Sequence, residues 1–184
     1  DPGVTAVPML ELSGKTVGIL GYGDIGRVFG GACQALGMRV IGYRRHPDRT
    51  ETARMVGLDE LCRESDVLSV HCPLTPETRG MVDRAFLEKM KPGAILLNTA
   101  RGPVLNEEDV VAALDSGRLL AAAVDVFSQE PAGQENPLVR HPRCVVTPHV
   151  SWGPRETRGR LLRIAAENFF AFLDGTPQNT VGAN

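Results

Sequence analysis

The sequence predicts an α/β fold of the Rossmann type, a doubly wound parallel sheet with helices on both faces. Three observations carry this. Short apolar runs alternate with segments of helical period along most of the chain. The runs are apolar nearly throughout, as in strands buried on both faces. The stretch GILGYGDIG places Gly21, Gly23 and Gly26 between the first run and the first helical segment.

Each element follows in order. TVGIL (residues 16–20) is the first strand, and IGRVFGGACQAL (25–36) the first helix. RVIGY (39–43) is the second strand. DELCRES (59–65) is a short helix and DVLSVHC (66–72) a strand. RAFLEKM (84–90) is a helix stopped by Lys91-Pro92-Gly93, and AILLN (94–98) is the next strand. NEEDVVAALDSG (106–117) is a helix with Asn106 as N-cap, acids in its first turn and Gly117 just past its end. LLAAAVDVF (119–127) and CVVTP (144–148) are strands, and SQEPAGQENPLVRHP (128–142) is one long loop between them. RETRGRLLRIAAENFFAFLDG (155–175) is a long amphipathic helix, with Leu161, Ile164, Ala165, Phe169 and Phe172 near the helical period. Residues 1–184 are expected to form one dinucleotide-binding domain.

The bulk numbers exclude several classes. The chain has 184 residues, 42% apolar and 23% charged, with a formal net charge of −2. That balance carries no basic excess to draw nucleic acid or an anionic membrane. No apolar run approaches the roughly 20 residues that span a bilayer. The opening DPGVTAVPMLELSG lacks the basic start and apolar core of a signal peptide. Cys33, Cys62, Cys72 and Cys144 include no C-x-x-C pair, so neither a zinc site nor a redox motif is indicated. Reduced thiols and a cytoplasmic location are expected.

The glycine stretch has the context that a phosphate loop needs. Gly21 allows a tight turn, Gly23 lets the backbone approach a pyrophosphate, and Gly26 lets the helix pack close to the sheet. The helix N-terminus then faces the anion with its free N–H groups. Arg44 stands eighteen residues after Gly26, just past the second strand. An acid at about that distance would hold the ribose hydroxyls of NAD. A guanidinium cannot accept those hydrogen bonds, but it can clamp a 2′-phosphate, and Arg45 doubles the charge.

Three further segments stand at the ends of later strands, where an open α/β sheet binds its ligands. NTARGPVL carries Arg101, DVFSQEP carries Asp125 and Glu130, and VVTPHVSW carries His149. Singly, Arg101, Glu130 and His149 each fit a plain surface residue. Together they supply the parts for reducing a 2-keto acid. A cation holds the carboxylate and polarises the carbonyl, and a histidine donates a proton to the carbonyl oxygen. A carboxylate beside the histidine favours its protonated form.

The chain resembles the cofactor-binding domain of the D-isomer-specific 2-hydroxyacid dehydrogenases. The matching segments are GKTVGILGYGDIG, HCPLTPETRGMV, MKPGAILLNTARGPVLNEEDVVAAL, VDVFSQEP and VVTPHVSW, in the family's order over nearly the whole chain. Within the family, the segment from His149 onward most resembles glycerate dehydrogenases, also called hydroxypyruvate reductases. The resemblance implies that Arg101 binds the substrate and that Glu130 pairs with His149 as acid/base. It implies that Asp125 holds the nicotinamide carboxamide, and that Asp24 and Ile25 lie against the pyrophosphate. Cys72, Pro73, Thr78, Thr99 and Ala100 would line the cofactor cleft, and Trp152 would sit at the substrate end or pack in a core or interface.

Two departures qualify the resemblance. Arg44 replaces the expected acid, which points to NADP(H) over NAD(H), and Glu130 replaces the glutamine of formate dehydrogenase-like members. Family members begin with a substrate-domain segment of roughly a hundred residues. Most of that domain is expected to be absent here, with the helix at 155–174 packing toward it. A small 2-keto or 2-hydroxy acid substrate (hydroxypyruvate/glycerate or glyoxylate/glycolate) and a homodimer of the full-length protein are what the family implies. The alternative reading is an NAD(H)-sensing interaction module like the corepressors that share this fold, against which Arg44 counts.

Overall fold

A computed structural model describes residues 10–47 and 52–180. The opening stretch expected to carry no signal peptide lies largely outside them. The described residues fall into two compact units, divided between Pro148 and His149.

The first unit holds seven strands in one sheet, ordered β3-β2-β1-β4-β5-β6-β7 and parallel throughout. The strands are β1 (Thr16–Leu20), β2 (Arg39–Tyr43), β3 (Arg54–Met55), β4 (Val67–Val70), β5 (Ala94–Asn98), β6 (Leu119–Val124) and β7 (Cys144–Val146). The helices are α1 (Asp24–Ala35), α2 (Leu58–Glu64), α3 (Arg84–Glu88), α4 (Glu107–Asp115) and α5 (Pro137–Arg140). Every residue of β1 is buried, and its side chains divide between two cores by strand alternation. Val17 and Ile19 pack with Cys33, Met38 and Val40 under α1, and Leu20 joins Leu61, Leu68 and Leu96 on the opposite side. Strand β1 pairs with β2 on one edge and β4 on the other, so the loops leaving β1 and β4 diverge. That divergence opens the crevice where such sheets bind ligands.

Helix α4 starts as the sequence predicts, with the Asn106 side chain accepting a hydrogen bond from the Asp109 amide at 3.2 Å. Other expectations need correction. The long loop at 128–142 contains α5, capped by Asn136, whose side chain accepts from the Leu138 amide at 2.9 Å. Pro137 sits at the first position of that helix, where its missing N–H costs nothing. The strand expected at 119–127 ends at Val124. The strand expected at 66–72 narrows to Val67–Val70. Strand β3 and a 3-10 turn at Gly102–Val104 carry no period long enough to read.

The second unit is built around α6 (Arg155–Leu173). The helix forms where its period predicts, yet none of its residues is buried, and Leu161, Phe169 and Phe172 stay exposed.

Candidate active site

The glycine loop between β1 and α1 meets two separate demands at Gly21. Its φ is +99°, and a Cβ there would lie 2.4 Å from the Cys72 amide nitrogen. The loop therefore lies directly against the chain leaving β4. At Gly26 a Cβ would stand 2.8 Å from the Gly21 carbonyl oxygen and 2.9 Å from Ile19 Cγ2, so α1 can approach the sheet only without a side chain there. Gly23 is the N-cap of α1, with no side-chain cap and nothing within 4 Å of its Cβ position. The first turn of α1 thus has no side-chain cap for its amides, which fits a pyrophosphate site. Asp24 directs its carboxylate to Arg27 at 3.3 Å, and Ile25 is exposed.

The same loop sets the end of β2. The Tyr43 carbonyl accepts from the amides of Gly21 (2.9 Å) and Tyr22 (3.0 Å), which places Arg44 beside the glycine turn. Tyr22 is buried, packs against Gly42, and its hydroxyl meets that of Thr52 at 2.8 Å. A cleft of about 600 Å³ follows, bringing together Gly21, Arg44, Arg45, Cys72, Pro73 and Thr78 as the sequence predicts. His46 and Glu77 line it as well, and Arg45 lies 3.3 Å from the Glu77 carboxylate. Thr78 Oγ1 donates to the Pro73 carbonyl (2.7 Å) and accepts from the Thr75 amide (2.8 Å), so it shapes this wall from within. Burial pushes the Cys72 thiol up to about 11, so it packs as a neutral thiol at ordinary pH.

At the end of β5, Asn98 is fully buried and organises the next three residues. Its Oδ1 accepts from the Ala100 amide and its Nδ2 donates to the Arg101 carbonyl, both at 3.0 Å. Thr99 and Arg101 are exposed on the turn so formed, and Arg101 Nη1 donates to the Ala100 carbonyl at 2.7 Å. Gly102 then lies so close to the next segment that a Cβ would fall 1.9 Å from the Phe127 carbonyl carbon. This contact brings the Arg101 turn against the stretch that carries Asp125 and Glu130. Asp125 is 2% exposed, accepts from the Thr147 hydroxyl, and ties its own amide to the Asn98 carbonyl at 2.9 Å. Glu130 folds back to accept from the Phe127 amide at 3.0 Å. Glu107, at the start of α4, accepts from the Ser128 amide (2.6 Å) and from Asn136 Nδ2 (2.8 Å), spanning that loop.

In the second unit, His149 has φ +54°, a left-handed conformation uncommon for a residue with a side chain. The exposed Trp152 donates its indole N–H to the His149 carbonyl at 3.0 Å, within a short turn that Gly153 closes on Val150. Trp152 thus supports the backbone of the histidine.

Sequence reasoning missed Tyr22, Asn98, Glu77 and Glu107. Asn98 had a signal, since an asparagine ending an apolar strand is poised to hydrogen-bond nearby backbone. Glu107 reads locally only as an acid at a helix start, and its bonds to residues 128 and 136 leave no local trace.

Comparison with known proteins agrees with this geometry. Residues 4–151 match the family described as D-isomer specific 2-hydroxyacid dehydrogenase, NAD binding domain. A hydroxypyruvate reductase of Blautia hydrogenotrophica is 49% identical over 177 residues, covering 95% of this chain and 55% of that protein. The chain thus spans about half the length of this relative. The crystal structure of the TT0316 protein from Thermus thermophilus superposes with a TM-score of 0.86 at 42% identity, covering 93% of this chain and 54% of that one. A probable 2-hydroxyacid dehydrogenase from Rhizobium etli CFN 42, in complex with NADP, HEPES and L(+)-tartaric acid, superposes with a TM-score of 0.85 at 28% identity, covering 98% and 59%. No described helix is long and apolar enough to cross a membrane. A glycine loop leading into an α1 with no side-chain cap, the turn of Arg101 set against the segment of Phe127, and a family match over most of its length together place this chain in the D-isomer specific 2-hydroxyacid dehydrogenase family, as its NAD-binding domain.

Proposed function

We propose that the protein reduces a small 2-keto acid to its D-2-hydroxy acid, hydroxypyruvate or glyoxylate being the substrates favoured, with NADP(H) preferred over NAD(H). The observation that carries the reading is the Gly102–Phe127 contact, which sets the turn bearing Arg101 against the segment that runs from Asp125 to Glu130. The hydroxypyruvate reductase relative supports the substrate class. A nicotinamide bound in the cleft supplies the hydride.

The chain's own residues divide the remaining work. Arg101 grips the substrate carboxylate and draws electron density from the carbonyl, with a fork that a point charge does not offer. His149 gives its proton to the carbonyl oxygen as the alcohol forms, and takes it back in the reverse direction. Glu130 supplies the carboxylate of the proposed catalytic set. Asp125, fixed by Thr147, holds the carboxamide end of the cofactor. Arg44 and Arg45 meet the 2′-phosphate where a family acid would meet ribose hydroxyls.

The assay is loss of NADPH absorbance on addition of hydroxypyruvate or glyoxylate to the full-length protein, beside titration of NADPH and NADH into this chain. Turnover with either keto acid and tighter NADPH binding are expected. Failure to turn over any 2-keto acid refutes the activity, and equal cofactor affinities refute the preference.

A further inference from the structure

We propose that Glu77 competes with the cofactor's 2′-phosphate for Arg45, and so limits how strongly the cleft favours NADP(H) over NAD(H). The inference rests on the NADP(H) reading above and assigns to it a residue of the opposite sign.

Arg45 and Glu77 arrive from different sides of β1. Arg45 follows β2, and Glu77 stands in the loop that follows β4. Their side chains meet across the same cleft, with Arg45 Nη2 3.3 Å from Glu77 Oε2. The guanidinium that should receive the phosphate is therefore already beside a carboxylate. Both side chains are more than half exposed, at 61% and 60%, so water weakens the pair and an incoming dianion can displace it.

Arg45 is one of several groups that favour the ionised form of Glu77. The Thr75 hydroxyl first, then its own backbone amide and Arg45, hold its carboxyl below the usual carboxylate range. When Arg45 turns to a phosphate, the carboxylate still lines the same cleft. A bound 2′-phosphate then lies within a Debye length, about 8 Å at physiological salt, of a fixed negative charge. NADP(H) meets two penalties, a broken ion pair and a like-charge neighbour. NAD(H) meets neither, because its ribose hydroxyl carries no charge and can donate to Glu77. Across the cleft, Glu77 thus retains part of the role of the acid that Arg44 replaced.

The test is calorimetric titration of NADPH and NADH into the protein and its Glu77→Gln variant, with thermal midpoints of both to confirm folding. The amide keeps size and shape and removes the charge. The ratio of NADPH to NADH affinity should rise roughly three- to tenfold, mainly through NADPH, the range expected for an exposed pair plus a screened repulsion. Raised salt should shrink the gain. A wild-type preference for NADPH that Glu77→Gln leaves unchanged or lowers overturns this inference and leaves the cofactor reading intact. Equal wild-type affinities that remain equal in the variant overturn both.

Discussion

Replacing Asn98 tests whether one buried amide shapes the turn that presents Arg101. Asn98→Ala removes two hydrogen bonds of 3.0 Å, to the Ala100 amide and the Arg101 carbonyl. Each such bond contributes about 0.5–1.5 kcal/mol net, and a stranded backbone group adds to the loss. The turn is partly exposed, so water recovers some of it, and about 2–3 kcal/mol of destabilisation is the expected total. For a chain of this size that lowers the thermal midpoint by about 5–10 °C. Asn98→Asp sharpens the test. Its carboxylate can still accept from Ala100 but faces the Arg101 carbonyl without a proton to donate. Burial raises the folded pKa of this new acid above its unfolded value of about 3.9. The folded state then binds the extra proton, so the penalty is small near the unfolded pKa and grows as pH rises to the folded pKa. Denaturant melts of all three proteins from pH 4 to pH 8 measure both effects. An Ala variant within about 0.5 kcal/mol of wild type, or an Asp variant whose deficit ignores pH, refutes the role given to Asn98.

Three more outcomes follow from the same geometry. Gly21→Ala forces φ +99° on a residue with a Cβ and drives it into the Cys72 backbone, so NADPH binding should be lost together with about 1–3 kcal/mol of stability, read by calorimetry and denaturant melts; an Ala variant that binds normally refutes the loop assignment. Burial lowers the pKa of His71, which lies 2.8 Å from the Ser69 hydroxyl, so the unfolded chain takes up the proton first. Its contribution to stability is complete above the unfolded pKa of about 6.5 and is lost as pH falls toward the folded value; His71→Asn should flatten that part of the melt-versus-pH curve, and an unchanged slope refutes the assignment. Arg101→Lys keeps the charge and loses the fork, so kcat/KM for keto-acid reduction by the full-length protein should fall at least tenfold, or about 1.4 kcal/mol, while NADPH affinity holds; wild-type kcat and KM would remove Arg101 from the substrate.

The strands Thr16–Leu20, Arg39–Tyr43 and Ala94–Asn98 were legible to the residue, because burial on both faces makes each a solid apolar run bounded by glycine or polar residues. The glycine loop was legible because positive φ and close approach are demands that a local sequence must meet. The start of α4 was legible for the same reason, since a cap acts within one turn. Helix α5 was not, because four residues carry no period. Of the candidate site, Arg44, Arg45, Arg101 and Asp125 could be placed at strand ends by topology alone, with Glu130 in the loop beyond Asp125. Their supports could not, because Glu77 reaches Arg45 from another strand's loop and Tyr22 reaches Thr52 from thirty residues away.

The carboxylate of Glu107 grips the backbone at Ser128 and the side chain of Asn136, and so closes residues 128–136 into a ring anchored on the start of α4. Glu130 sits near one clasp and binds its own loop at Phe127. Residues 131–135 lie beyond that bond and before the second clasp. Closure entropy rises only with the logarithm of length, so even a doubled ring costs about 0.6 kcal/mol more. Insertions at 131–135 therefore change the rim of this edge of the sheet at little energetic cost. The fold offers here a segment whose length is free to drift between relatives while the carboxylate of Glu130 stays where it is.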